Sequence, residues 1–411
     1  MRAEDSSTAV PSPAALQATL CKVTERLARE LACASQTAPD WSDYEWTVAR
    51  AVAAMHGISP LLSRSLLWRG PHVWTRFLDE QRAHTRARHG RIQELLQSID
   101  QKARETGVAA TALKGAALHQ IGLYEAGDRP MADVDLLVRP ADVERSAGML
   151  SSLGFKQTAE TWKERVFTPV GDSAAADLGE HASNSLKIEL HERICERLPR
   201  YLTDVSELIF PAQPRPGLNS YPSNGSLMRH LLLHAAGTMA FQALRILQLH
   251  DIALLSRRMT AADWNEIAGP NSPAPLWWAY PPLELTSRYY WASVPARVLA
   301  ALKSDCPYIL RALGTHKSLV EVSYSYLWIK AFPGIEWSQS LLEMLDYALS
   351  RVRPDATHLA LRENQAASQV WAKQGDWSGM SQARRIARWL SSRQTRPVTI
   401  HAVRAALARA L

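Results

Sequence analysis

The segment Asp133-Val-Asp-Leu-Leu-Val138 most narrows what this chain can fold into. Two acidic residues alternate with apolar ones before a continuous apolar end, the pattern of a β-strand half exposed at its start and buried at its end. It lies in a stretch that departs from its helix-rich surroundings. The composition changes at Gly107, after which Val108-Ala-Ala-Thr-Ala-Leu113 reads as a buried strand closing on Lys114-Gly115, and residues 116–121 read as a short helix. Pro140 and Asp142 open another helix, which runs through Val143, Ala147, Met149 and Leu150 and stops at Gly154. Strand-like pieces follow in residues 155–170 and 186–194, separated by a polar, Ala-rich stretch at 171–185 that reads as a long mobile loop. The order strand, helix, strand, helix, strand, strand implies a small α/β unit.

Both flanks read as helical. Residues 1–13 form a disordered lead, and residues 14–106 carry apolar positions such as Leu16, Leu20, Val23, Leu27 and Leu31 at spacings of three and four. Asp40 and Ser42 are candidate N-caps for a second helix, and Ser59-Pro60 starts a third. A proline-rich run at 211–222 marks a linker or domain edge. Beyond it, residues 227–257 show the dense apolar pattern of buried helices. The fold class expected is α+β: a small mixed-sheet core at 107–213 between an N-terminal helical region at 14–106 and a C-terminal helical domain at 214–411.

A length of 411 residues suits more than one domain, and 46% hydrophobic with 21% charged residues is globular composition. The net charge of +7 favours polyanionic partners such as nucleotides or RNA. Much of that excess lies near the C-terminus, where Arg384, Arg385, Arg388, Arg393, Arg396, Arg404 and Arg409 read as a basic solvated face. Cys21, Cys33, Cys195 and Cys306 show no CxxC spacing, so neither a disulfide framework nor a zinc knuckle is indicated. No run of about 18 uncharged apolar residues occurs, which argues against membrane spanning and for a cytoplasmic protein. No Walker A loop, GxGxxG fingerprint, GxSxG elbow or HExxH helix is present. The 14 tryptophans, Trp277-Trp278, Trp371, Trp377 and Trp389 among them, read as packing rather than a base-stacking surface.

The chemistry concentrates on the acidic strand. Period two puts Asp133 and Asp135 on one face, where two unpaired carboxylates repel unless a cation neutralises them. Mg²⁺ takes carboxylate oxygens together with substrate phosphates and is the natural partner. Upstream, Lys114-Gly115 sits at a strand-to-helix turn whose backbone N–H groups suit a phosphate. Downstream, Glu189 shares a strand face with His191 and is positioned to complete a carboxylate triad.

These features resemble the polymerase-beta-like nucleotidyltransferase superfamily. More closely, Leu113-Lys-Gly-Ala-Ala-Leu118, Tyr124, Arg129-Pro-Met-Ala-Asp133-Val-Asp-Leu-Leu-Val138, Gly154-Phe155, Ile188-Glu-Leu-His191, Leu231-Leu-Leu-His234 and the stretch with Arg245 and Asp251 resemble a family of uncharacterised nucleotidyltransferases over residues 85–260. Two departures stand out: the turn is Lys-Gly where Gly-Ser is usual, and the third acid is Glu189 where Asp is commoner. The resemblance implies transfer of a nucleoside monophosphate from a nucleoside triphosphate such as ATP to a hydroxyl of a small molecule or peptide, in a bacterial biosynthetic pathway. It further implies Asp133, Asp135 and Glu189 as ligands of two Mg²⁺ ions, with Mn²⁺ as a substitute, and Glu189 also as general base. Lys114, Gly115 and Arg129 would contact the nucleotide, and His191, His234, Arg245 and Asp251 would support the site.

Two rival readings come with this one: a toxin-like transferase acting on tRNA, suited to the basic C-terminus, and a catalytically silent nucleotide- or partner-binding subunit. An HD-type metal hydrolase built on His234, His250 and Asp251 lacks further ligands, and those residues read better as a buried polar network.

Overall fold

The computed structural model describes residues 11–171, 178–269, 276–352, 384, 387 and 394–409. The N-terminal periodicity becomes four helices, α1 (Pro13–Ala32), α2 (Asp43–Met55), α3 (Ser59–Ser65) and α4 (His72–Thr106). Ser42 caps α2 in a reciprocal box with Glu45, a device that contributes about 1 kcal/mol. At roughly 1.5 Å per residue, α4 is about 50 Å long, and Gly107 ends it in the left-handed region at φ 71°.

Gly107 delivers the chain to β1 (Ala109–Ala112), α5 (Lys114–Gln120), β2 (Asp133–Val138), α6 (Val143–Ser152), β3 (Phe155–Glu160), β4 (Glu164–Pro169) and β5 (Lys187–His191). A small hairpin, β6 (Cys195–Arg197) and β7 (Leu202–Asp204), a single turn α7 (Ser206–Ile209) and β8 (Gly217–Asn219) follow. The main sheet is mixed, in the order β3-β4-β5-β2-β1-β8. Strand β8 pairs parallel with β1, so part of the proline-rich run expected to be a linker or domain edge is a sheet strand. Its prolines, Pro214 and Pro216, stand before the strand's first residue and so remove no ladder donor.

Alternation along the strands sorts the two faces. Val134, Leu136, Val138, Ile188 and Leu190 join Ile92, Leu96 and Ile99 of α4 and Met149 and Leu150 of α6 in one apolar core. Asp133, Asp135, Glu189 and His191 therefore point to the opposite face. There the helical part of the chain begins with α8 (Asn224–Ala240) and α9 (Ile246–Ser256). It continues through α10 (Ala261–Ala268), α11 (Tyr280–Tyr289), α12 (Ala296–Asp305), α13 (Tyr308–Leu313) and α14 (Leu341–Val352) to a C-terminal helix, Pro397–Ala408.

The two ends of the chain pack together. Arg50 donates to the Ala406 carbonyl at 3.1 Å, and the buried His56 receives the Ile246 amide at 3.1 Å while contacting Ser325 at 2.8 Å. Burial lowers His56 to about 3, so its neutral ring can accept that amide. The second core cluster runs from Leu16 to Ala406 and includes Leu113 and Leu137 from the sheet's site-bearing face. Trp46 packs against Trp41, Trp68 and Trp74 within it, in line with the packing role expected of tryptophan.

The stretch expected as a mobile loop is tied down over residues 178–184. Gln81 donates to the Glu180 carbonyl and receives its amide, His84 receives the Ala182 amide, and Arg91 donates to the Ala182 carbonyl. The polar face of α4 supplies these partners, which composition alone does not disclose. Residues 1–10 of the lead, residues 172–177 of that stretch, Arg385, Arg388, Arg393, Trp371, Trp377 and Trp389 lie outside the described residues. No described helix is long and apolar enough to cross a membrane, and the four cysteines are free thiols.

Candidate active site

Strands β2 and β5 run parallel, with Asp133 beside Lys187, Asp135 beside Glu189 and Leu137 beside His191. This register sets the acids. Asp135 is 4% exposed, and its Oδ1 receives Lys114 Nζ at 2.8 Å and His191 Nε2 at 3.0 Å. His191 Nε2 also lies 3.9 Å from Glu189, and its Nδ1 lies 3.7 Å from Glu164 on β4. One donor atom each from Asp135, Glu189 and His191 falls within a 4.8 Å group, the one such group among the described residues. Asp133 is one step removed, at the strand's half-exposed start. The sequence pointed to an acidic trio with His191 in support; the register brings His191 directly against Asp135.

The charges respond to one another. Burial disfavours ionised Asp135, but Lys114 and His191 outweigh it and hold that carboxyl well below the usual range. Burial, then the Asp135 charge, pushes Asp133 up. Glu189, with burial first and the two aspartates next, is pushed up to about 10. Burial works against the Lys114 ammonium, yet Asp135, Glu189 and Asp133 together raise its pKa. Three carboxylates thus share one bonded ammonium, and a divalent cation is the group that would relieve the excess. Two carboxylates and an imidazole with donors this close are a chemically reasonable set for one.

The turn before α5 is built for close approach. Lys114 sits at φ 44°, a left-handed conformation that costs a lysine energy and that the turn's surroundings hold in place. A Cβ on Gly115 would collide with Arg129 Nη1 and lie 2.8 Å from Met131. The space glycine leaves is therefore used by the Arg129 guanidinium. Arg129 in turn grips Asp251 of α9 through Nε at 2.9 Å and Nη2 at 2.7 Å, and Tyr124 donates to the same carboxylate at 2.7 Å.

Of the other residues singled out in the sequence, His234 and His250 make their contacts with other partners. His234 lies 3.8 Å from Glu196, which pairs with Lys163 at 2.6 Å. His250 contacts the Tyr290 hydroxyl at 3.0 Å and is lowered to about 4, by burial above all. Arg245 precedes α9, is exposed, and faces Asp133 closely enough to favour its charged form. The Asp251 network braces the helical part, as a polar-network reading expects. A cleft of about 350 Å³ between α5 and the start of α8, lined by Tyr221, Asn224 and Asp263 among others, includes none of the three acids.

Sequence reasoning missed Arg88 and Glu180. Arg88 is buried on α4, donates to the Met131 carbonyl at 2.9 Å and the Asn184 carbonyl at 2.6 Å, and pairs with Glu180 at 2.9 Å. It thereby fixes both chain segments that lead into the acidic strands. A signal existed: Arg88 stands in register with the apolar stripe of Phe77, Ile92, Leu96 and Ile99, where a charge needs a partner.

Residues 42–269 match the model of a family described as uncharacterised nucleotidyltransferase. That is more than half of the chain, and the protein belongs to this family. Neither a curated protein nor a solved structure matches it.

Proposed function

We propose that the protein is a metal-dependent nucleotidyltransferase that moves a nucleoside monophosphate from a nucleoside triphosphate onto an acceptor hydroxyl, in a cytoplasmic biosynthetic pathway. The observation that carries this reading is the charge pattern on one sheet face, with Asp133, Asp135 and Glu189 beside Lys114. Family membership supports it independently.

A divalent ion, Mg²⁺ or Mn²⁺, held by Asp133, Asp135 and Glu189 would neutralise phosphate charge and make the acceptor hydroxyl more acidic. Lys114 keeps its proton and supplies fixed positive charge beside the phosphates. In its ionised form Glu189 takes the hydroxyl proton as the acceptor oxygen bonds to the α-phosphorus. The bond between the α- and β-phosphates breaks and pyrophosphate leaves. Arg129, held at Gly115 by Asp251, keeps the turn in shape and presents positive charge behind it. His191 holds Asp135 in one orientation.

The Lys114–Asp135 ion pair favours one other reading, because it neutralises Asp135 without metal. On that reading the fold binds a nucleotide or a partner without transferring anything. Pyrophosphate release separates the two. Wild type and Asp135→Asn are incubated with each of the four common triphosphates, Mg²⁺ or Mn²⁺, and metabolite fractions as acceptor source. Release by the wild type alone supports transfer; triphosphate binding without release from any fraction supports the silent subunit.

A further inference from the structure

His191 stands between two strands that each offer it a carboxylate. On one side the β2 register sets Leu137 beside it and brings Asp135 Oδ1 to 3.0 Å from Nε2. On the other, Glu164 of β4 is its direct cross-strand partner, and such partners point to the same face. The Glu164 carboxylate lies 3.7 Å from Nδ1. Nε2 is also 3.9 Å from the carboxylate of Glu189, two residues earlier on the same strand. The imidazole is buried, its side chain 6% exposed.

Holding Asp135 in one orientation needs only the first of these contacts. The full set matches a different role. A histidine that binds a metal through one ring nitrogen commonly has a carboxylate at the other, which fixes the ring and makes it a better donor. Here Glu164 faces Nδ1, and two carboxylates face Nε2. Ligands about 2.1 Å from one ion sit roughly 3.0 Å apart when adjacent and roughly 4.2 Å apart when opposite. The distances from Nε2 to Asp135 and Glu189, 3.0 and 3.9 Å, fall within that span. A carboxylate oxygen has two lone pairs, so Asp135 Oδ1 can keep its bond from Lys114 while an ion takes the place of the imidazole proton.

We infer that His191 Nε2 is itself a metal ligand, with Glu164 as its positioning residue, and that the site takes a first-row transition-metal ion in preference to Mg²⁺. Mg²⁺ favours oxygen surroundings, whereas an imidazole nitrogen strengthens the binding of ions such as Co²⁺ and Zn²⁺ and, more weakly, Mn²⁺. The inference rests on the metal site of the transfer reading and on no step of the transfer.

Mn²⁺ alone serves as the probe, titrated into the full chain without nucleotide and followed by electron paramagnetic resonance, with Mg²⁺ measured by competition. Wild type should bind Mn²⁺ more tightly than Mg²⁺ and show nitrogen hyperfine coupling to the bound Mn²⁺. His191→Gln keeps an N–H donor for Asp135 but has no ring nitrogen. It should lose the coupling and bind Mn²⁺ about tenfold more weakly or worse, while its Mg²⁺ affinity changes less. Glu164→Ala should keep the coupling and bind Mn²⁺ about tenfold more weakly, the usual loss for a group behind a ligand. Circular dichroism checks that both variants fold, and the wild-type coupling decides the matter without them. Mn²⁺ bound to wild type without nitrogen coupling overturns the inference, as does a wild type that binds no Mn²⁺. So does a folded His191→Gln whose Mn²⁺ and Mg²⁺ affinities are unchanged or fall equally, the behaviour of a histidine that only orients Asp135. Nucleotide is absent throughout, so a protein that transfers nothing can still pass this test, and one that transfers can still fail it.

Discussion

Replacing Asp251 with alanine should damage this protein more than almost any other single polar change. The Asp251 carboxylate is buried and receives two hydrogen bonds from Arg129 and one from Tyr124. The side chain of Arg129 is 10% exposed, so water cannot replace the lost partner. A buried cation left without its carboxylate costs about 3–5 kcal/mol, and the unpaired Tyr124 hydroxyl adds about 1 kcal/mol or more. The whole stability of a domain is about 5–15 kcal/mol, so Asp251→Ala should unfold at a much lower urea concentration. Arg129 also fills the space above Gly115, so the remaining folded protein should bind triphosphate more weakly. The double variant Arg129→Met/Asp251→Leu removes both charges and should recover much of the stability. Urea denaturation followed by circular dichroism reads all three proteins. A loss below about 1 kcal/mol for Asp251→Ala, or a double variant as unstable as the single, would show that the pair is not the brace described here.

Other outcomes follow from the same geometry. Gly115→Ala forces Arg129 and Met131 to shift and should cost about 1–3 kcal/mol in urea denaturation, the usual range for overpacking. Arg88→Met should speed amide hydrogen exchange over residues 178–184 and around Met131 and Ala132, which Arg88 bonds or brackets; unchanged protection would refute its bracing role. Glu189 has a folded-state pKa near 10 against an ordinary 4.5, so between these values the native state binds more protons than the unfolded one. Its contribution to stability therefore falls as pH rises through that window. Metal-free Glu189→Gln should lose less stability than wild type between pH 6 and pH 9, by thermal melting at about those values. Added Mg²⁺ should narrow the difference.

The acidic strand and its turn were legible because their signal is local. Period two put Asp133 and Asp135 on one face without further information, and the same rule paired Glu189 with His191. What joins β2 to β5 is a strand register, and sequence does not print a register. It decided that Asp135 meets Glu189 and His191 directly, with Asp133 close enough for its charge to push Glu189 up. Arg129 was legible as a charge near the turn but not as the partner of Asp251, which lies on a helix far along the chain. Strand β8 was hidden for a different reason: Pro214 and Pro216 speak against a strand interior but not against a strand that begins just after them. Arg245 could be singled out in sequence, but its place near Asp133 depends on tertiary packing.

Calorimetric titration of each nucleoside triphosphate with and without Mg²⁺, into wild type and a folded Asp133→Ala/Asp135→Ala variant, tests the central claim most directly. At least one triphosphate is expected to bind the wild type only with Mg²⁺ present, and to bind the variant about a hundredfold more weakly or not at all, in keeping with the loss of two charged ligands. Equal affinity for the two proteins, or binding indifferent to Mg²⁺, would contradict the assignment of these acids to a metal–nucleotide site.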